Sequence, residues 1–159
     1  MAIDDLGPAE RIAAGAVGRP GSRRFYLEVV AGGVRHLMLA EKQQIAALAE
    51  QGVEILARSE VDVDGEAVDR LIEEGLDIDE ASDERFRIGS IAMGIDRSDL
   101  VSLTVESTDE GEGVTFIVAP EQFVAMAEVA LKAVAGGRPI CRWCRLPMDP
   151  DGHACPARN

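Results

Sequence analysis

The chain is poor in several residue types, and each shortage removes a class of protein. Aromatic residues make up 4% of its 159 positions, and there are three Cys and two His. So few cysteines, odd in number, exclude the disulfide framework of a small secreted domain. Basic residues are also short: 16 Lys and Arg stand against 29 Asp and Glu, a formal net charge of -13. Such a chain repels a phosphate backbone at long range, so nucleic-acid binding lacks its main driving term. Long hydrophobic runs are missing. The best candidate, Phe123 to Ala135, is interrupted by Glu128 and Lys132 and is shorter than the ~20 apolar residues of a membrane span. The first ten residues carry Asp4, Asp5 and Glu10 but no Lys or Arg, the reverse of an export leader. The expectation is a cytoplasmic protein with no membrane contact.

What is present reads as one α+β domain, residues 1–136, followed by a short tail, residues 137–159. Three segments, Arg11–Val17, Arg24–Val30 and Val34–Leu39, are separated by Gly- and Pro-containing turns and read as a meander of strands. From Glu41 to Arg58, Ile45, Leu48, Ala49, Ile55 and Leu56 recur at helical offsets, with Gly52 as a weak point. A short acidic helix follows over Gly65–Leu76, then a loop over Asp77–Glu84. Three more strands are expected at Phe86–Ile95, Leu100–Ser107 and Val114–Val118. A last helix begins at Pro120, where proline loses only a donor that would be unpaired anyway, and its apolar stripe is Val124, Ala127, Leu131 and Val134. The sum is a mainly antiparallel sheet of about six strands with two principal helices. Comparing residues 36–48 with residues 115–127 matches Ala40, Gln43 and Ala46 to Ala119, Gln122 and Ala125, 79 positions later. Both stretches run from strand into helix, which raises a duplication about a pseudo-two-fold axis, with convergent strand-to-helix grammar as the alternative.

Chemistry concentrates in the tail. All three cysteines and one histidine fall in Cys141-x2-Cys144-x8-His153-x-Cys155. Three soft thiolates and an imidazole are the Cys3His set that closes a tetrahedron round zinc, and Pro147 and Asp149-Pro150-Asp151-Gly152 supply a return turn. Four protein ligands leave no coordination position for substrate, so zinc here is expected to be structural. Iron and free or redox-active thiols remain the alternatives.

The run Gly137-Arg138-Pro139, Cys141-x-x-Cys144, Pro147-x-Asp149-Pro150-x-Gly152-His153-x-Cys155-Pro156 resembles the end of an uncharacterised bacterial family, a domain of unknown function. The resemblance extends to Ala14-Gly15-x-Val17-Gly18-x-Pro20-Gly21-x-Arg23-x-Phe25-Tyr26-Leu27, to Glu41-Lys42-Gln43-Gln44 and to Phe86-Arg87-Ile88-Gly89. It implies a shared fold and a zinc tail, and nothing about substrates. Where such proteins often carry Gly after the second cysteine, this chain has Arg145.

Two groups of arginines are the other candidates. Arg19, Arg23 and Arg24 flank a Gly- and Pro-containing turn, and Arg138 and Arg142 flank the first cysteine; adjacent, they would form an anion-binding patch. The alternative is that they pair with the surplus carboxylates. Asp62-Val-Asp64-Gly-Glu66 fails as a calcium loop because Ala67 stands where that loop turns on Gly, and Asp64 is read instead as opening the acidic helix. His36, the one histidine outside the tail, has no serine elbow to serve. The leading functional expectation is a non-enzymatic, zinc-stabilised binding or adaptor protein engaging an anionic ligand or a protein partner. The alternatives are an enzyme acting on a phosphorylated or carboxylated small molecule and, more weakly, a binder of single-stranded nucleic acid. An enzyme requires a cavity where arginines meet a carboxylate or His36, an adaptor a flat apolar patch, and a nucleic-acid binder a basic stripe.

Overall fold

The computed structural model describes residues 2–19, 21–79, 83–109, 111–136, 141–145, 148 and 153–158. Among the described residues seven strands are formed: β1 (Ala2–Pro8), β2 (Arg11–Val17), β3 (Arg24–Ala31), β4 (Val34–Ala40), β5 (Glu84–Ile95), β6 (Val101–Ser107) and β7 (Glu112–Val118). Helices α1 (Lys42–Arg58) and α2 (Gly65–Glu74) lie between β4 and β5, and α3 (Pro120–Val134) follows β7. No helix among the described residues is long and apolar enough to cross a membrane.

The α+β class stands, with two changes to the expected sheet. It has seven strands in the order β1-β7-β6-β5-β4-β3-β2, and it is mixed, because β1 runs parallel to β7 and β4 parallel to β5. The added strand is β1. Its sequence, Ala-Ile-Asp-Asp-Leu-Gly-Pro, has no alternating apolar pattern, and all but Leu6 and Gly7 are exposed. It is a strand because β7 offers it an open ladder of backbone donors and acceptors, a cause that no local pattern records.

The two ends of the sheet are consecutive pieces of chain. Ala9 N–H donates to Ile117 O of β7 at 2.8 Å, and the next residue, Glu10, donates to Val30 O of β3 at 2.7 Å. The long segment from Ala2 to Val17 therefore passes from β7 to β3, and the sheet curls round to meet itself. Strand β5 makes the same passage in one piece: Glu84–Arg87 pair with β4, and Ile88–Ile95 pair with β6, across a bulge at Gly89.

A glutamine pins each passage. Gln44 Oε1 accepts the amide of Glu41 at the start of α1 while its Nε2 donates to Ile88 O at 3.1 Å. Gln122 does the same at the start of α3, accepting from Ala119 N and donating to Ala9 O at 3.1 Å. These two lie 78 positions apart, so the structural register corrects the 79-position match read from residue identity, which had set Gln43 against Gln122.

One face of the sheet packs on α1 and α3 through Leu27, Met38, Ile88, Leu103, Phe116 and Phe123, all at most 2% exposed. The opposite face of β2, β3 and β4 carries Ala13, Tyr26, Leu37 and Leu39 against Val68 of α2 and Ala125 of α3. Adjacent residues thus serve different cores, as strand alternation requires: Phe25 faces the first and Tyr26 the second. Gly52, a weak point for α1 by propensity, is a packing requirement. A Cβ there would lie 2.1 Å from Cζ of the buried Phe123. On the outer face, buried Glu28 is held by Arg11 and by Arg35, whose Nε donates to Glu28 Oε2 at 2.6 Å, and Arg11 also donates to Asp77 O at 3.0 Å. Arg11, held in place by that carboxylate, ties the loop after α2 to the sheet, and removing the carboxylate would leave two arginines facing each other.

Candidate metal centre and cationic cavity

Helix α3 ends as Gly136 takes φ +79 and its amide bonds to Ala133 O. Beyond it, Cys141–Arg145 form a tight turn in which Arg145 N–H donates to Cys141 O at 2.9 Å. Closing that turn requires the left-handed conformation at Arg145, φ +63, the conformation in which a Cβ is crowded and glycine is not. The knuckle closes with arginine nonetheless. The amides of Cys144 and Trp143 point at the Cys141 thiol, and these backbone bonds hold its pKa down to about 6. A sulfur so placed is poised as thiolate, the form that ligates metals.

The other ligands come from the return of the tail. Cys155 Sγ lies 3.7 Å from Cys141 Sγ, and His153 Nε2 lies 3.3 Å from Cys144 Sγ. All four ligand atoms fall within 4.8 Å of one another. The separation far exceeds a disulfide bond, and the three cysteines are free. A tetrahedron with metal–sulfur bonds of ~2.3 Å has edges of ~3.8 Å, so the observed spacings suit one ion at the centre. Cys141 is buried and the other three are half-buried. Cys141, Cys144, His153 and Cys155 are thus brought together, in a geometry able to hold a metal ion.

The arginines divide. Arg23 and Arg24 line a cavity of about 520 Å³ between the start of α1, the ends of β3 and β4, and the C-terminal turn of α3. Two further cations on its wall, Lys42 and Arg87, are ones the sequence reading missed. Lys42 opens α1, and Arg87 reaches the site because β5 pairs in parallel with β4, setting it opposite Leu39. Nothing local in the sequence announces that pairing. Arg23 donates from Nη1 to Ala133 O at 2.9 Å, and its buried Nε has no hydrogen-bond partner among the described residues. Arg24 stands 3.4 Å from Glu84. Arg87 and Lys42 have no ion pair among the described residues. Arg19 is not part of the wall. Arg142 stacks over Trp143, with Cζ 4.9 Å from the ring centroid, and also lies off the wall. Arg138 is outside the described residues.

His36 is elsewhere. Its Nδ1 is 2.9 Å from Arg85 Nη1, and Arg85 also bonds Glu112 at 2.8 Å and Asp4 at 3.1 Å. Burial first, and then the Arg85 charge, hold its pKa below the ordinary histidine value, with Asp4 pulling the other way. Asp64 caps α2, its carboxylate accepting from Glu66 N at 3.0 Å. Among the described residues the large apolar side chains left exposed, Ile3, Val34, Val53 and Trp143, are scattered over separate parts of the chain.

Compared with known proteins, the chain matches a family model described as "Protein of unknown function (DUF3090)" over residues 5–155. No curated protein and no solved structure is significantly similar to it.

Proposed function

The chain belongs to the DUF3090 family, a membership that brings no activity with it, and we propose that it is a non-enzymatic binding protein for a small anionic molecule, with a zinc-stabilised tail. The observation carrying this reading is the convergence of Arg23, Arg24, Lys42 and Arg87 on one concavity of a chain whose net charge is -13. Low-dielectric walls focus such a field, and a bound phosphate or carboxylate would meet cations that have few partners of their own. The enzyme alternative draws on Glu41, the one carboxylate on the wall among the described residues. Against it, no hydroxyl, thiol or imidazole lines the cavity among the described residues. The test is calorimetry of the full chain with inorganic phosphate and with succinate at low salt. Saturable binding of either, weakened at least tenfold in Arg24→Gln/Arg87→Gln, is expected. Equal binding by the variant, or none at millimolar concentration, would sink it.

Zinc as the ion follows from the donor set, since three thiolates and one imidazole satisfy its tetrahedral preference and leave no open position, which makes the role structural. The segment from residue 137 would then be a unit ordered by its metal, too small to build a core of its own. Reduced thiols suit a cytoplasmic setting. Native mass spectrometry of protein purified without added metal should show one zinc per chain. Cys144→Ser should lose the ion while the urea midpoint of the main domain stays unchanged; a collapse of that midpoint would make the tail part of the core. The matching connectivity of the two halves and their paired glutamines support descent from a duplicated strand-strand-strand-helix unit.

A further inference from the structure

Strand β5 is paired on one side only along most of its length. Its contact with β4 ends at Arg87, while β6 accompanies it from Ile88 to Ile95. The other edge of Ile88-Gly-Ser-Ile-Ala-Met-Gly-Ile95 has no strand beside it among the described residues. Exposed edges are ordinarily protected by charged residues, proline, a bulge or a covering element; this segment contains no charge and no proline, and its bulge at Gly89 lies at one end of it.

The corresponding edge in the other half is sealed. There α3 lies directly on β2, where Ala13 and Ala14 are buried and a Cβ at Gly15 would meet Ala133 at 3.9 Å. Helix α1 instead meets β5 where Gln44 holds Ile88 O and where Gly52 approaches the sulfur of Met93. Between them runs a groove of about 310 Å³ with Ala47, Gln51 and Ile55 on the helix side and Ser90, Ile91 and Met93 on the strand side.

We infer that this groove is a docking site for an extended peptide segment of a partner protein, which adds to the open edge of β5 as a further strand. A backbone edge asks for another backbone, and a groove flanked by a helix accepts the alternate side chains of the added strand. Its rim decides the charge of the occupant. On the strand side Ser90 Oγ donates to Glu106 at 3.4 Å, and on the helix side Glu54, next to Ile55, is exposed, with Arg58 its counterion at 3.9 Å. Acidic surroundings on a chain of charge -13 disfavour a second copy and favour a segment of alternating apolar residues that carries Lys or Arg.

The test is selection of a random heptapeptide library, displayed on phage, against the full-length, metal-replete protein. Enrichment of alternating apolar sequences with at least one Lys or Arg is expected. A synthesised winner should slow amide exchange over Gly89–Ile95. N-methylation of its alternate amides should weaken it at least tenfold, and so should Ala47→Trp, which fills the groove. Ser90→Lys, at an exposed position, gives the same reading if the tryptophan variant fails to fold. The inference is overturned if the library enriches nothing beyond what it enriches on the blocked variants, or if the methylated peptide binds equally. It is also overturned if exchange slows at the cationic cavity instead, or if sedimentation shows a dimer that Ser90→Lys dissolves, which would give the edge to a second copy.

Discussion

Between α3 and β2 the helix lies against a run of Ala13, Ala14, Gly15 and Ala16, and the cavity that β2 and α3 line together with α2 is small, about 130 Å³. Between α1 and β5 the corresponding strand carries Ile91, Met93 and Ile95, all half-buried, and a groove stays open. The connectivity of the two halves is the same. Side-chain volume at the contact sets how near a helix can come to its strand, and the two halves answer differently because their strands do. Helix α1 also comes close to α3 at Gly52, where the ring of Phe123 occupies the space a side chain would need.

The largest effect that would sharpen this contrast comes from two glycines given the same methyl group. Gly52→Ala places a Cβ 2.1 Å from a fully buried ring, and overpacking of that kind should cost about 2–3 kcal/mol even after the gain in helix propensity. Gly15→Ala places one 3.9 Å from Ala133 and should change stability by under ~1 kcal/mol. Urea unfolding of both variants checks this; equal losses would mean that the two contacts are packed alike.

Next in size are the paired glutamines. Gln44→Ala and Gln122→Ala each remove a bond to a helix-initiating amide and one to a carbonyl where the chain passes between strands, and each should cost about 1–2 kcal/mol. Gln122 also reaches Glu10 O at 3.4 Å, so its loss should be the larger. A near-zero effect for one alone would break the correspondence between the halves.

The smallest effect is a dependence on pH confined to the first half. At the 78-residue offset the counterpart of His36 is Val114, which cannot titrate. The pKa of His36 lies lower in the folded chain than its ordinary 6.5, so the unfolded chain binds the proton more readily. Stability is then full above about 6.5 and declines as pH falls from there toward the folded value. With the ring half-exposed, the decline should be a few tenths of a kcal/mol, measured as the difference between the wild-type chain and His36→Gln in melting temperature between pH 7 and pH 5.5.

Six strands and all three helices could be read from apolar periodicity and turn residues, because those patterns record which face of an element is buried. Strand β1 could not. It is mostly exposed on both faces, and its conformation is imposed by β7, which lies more than a hundred residues away. The candidate metal site was legible because its four ligands lie within fifteen residues, so spacing alone nearly states the geometry. The cationic cavity was half legible: Arg23 and Arg24 announced themselves beside a turn, while Lys42 and Arg87 joined them through the parallel pairing of β4 with β5. Residue identity set Gln43 against Gln122, and only the hydrogen bonds showed that Gln44 fills the equivalent place.

By itself the sequence determined the features whose causes are local. The alternation of its strands, the stripes of its helices and the four ligands of its tail are each specified within a few turns of chain. Tertiary structure alone decided what depends on distant neighbours: the passage of Ala9 and Glu10 from one end of the sheet to the other, the gathering of four cations, and the edge of β5 that no strand among the described residues covers. Those outcomes rest on which backbone meets which and on how much volume lies between them, and neither quantity exists until the chain has folded.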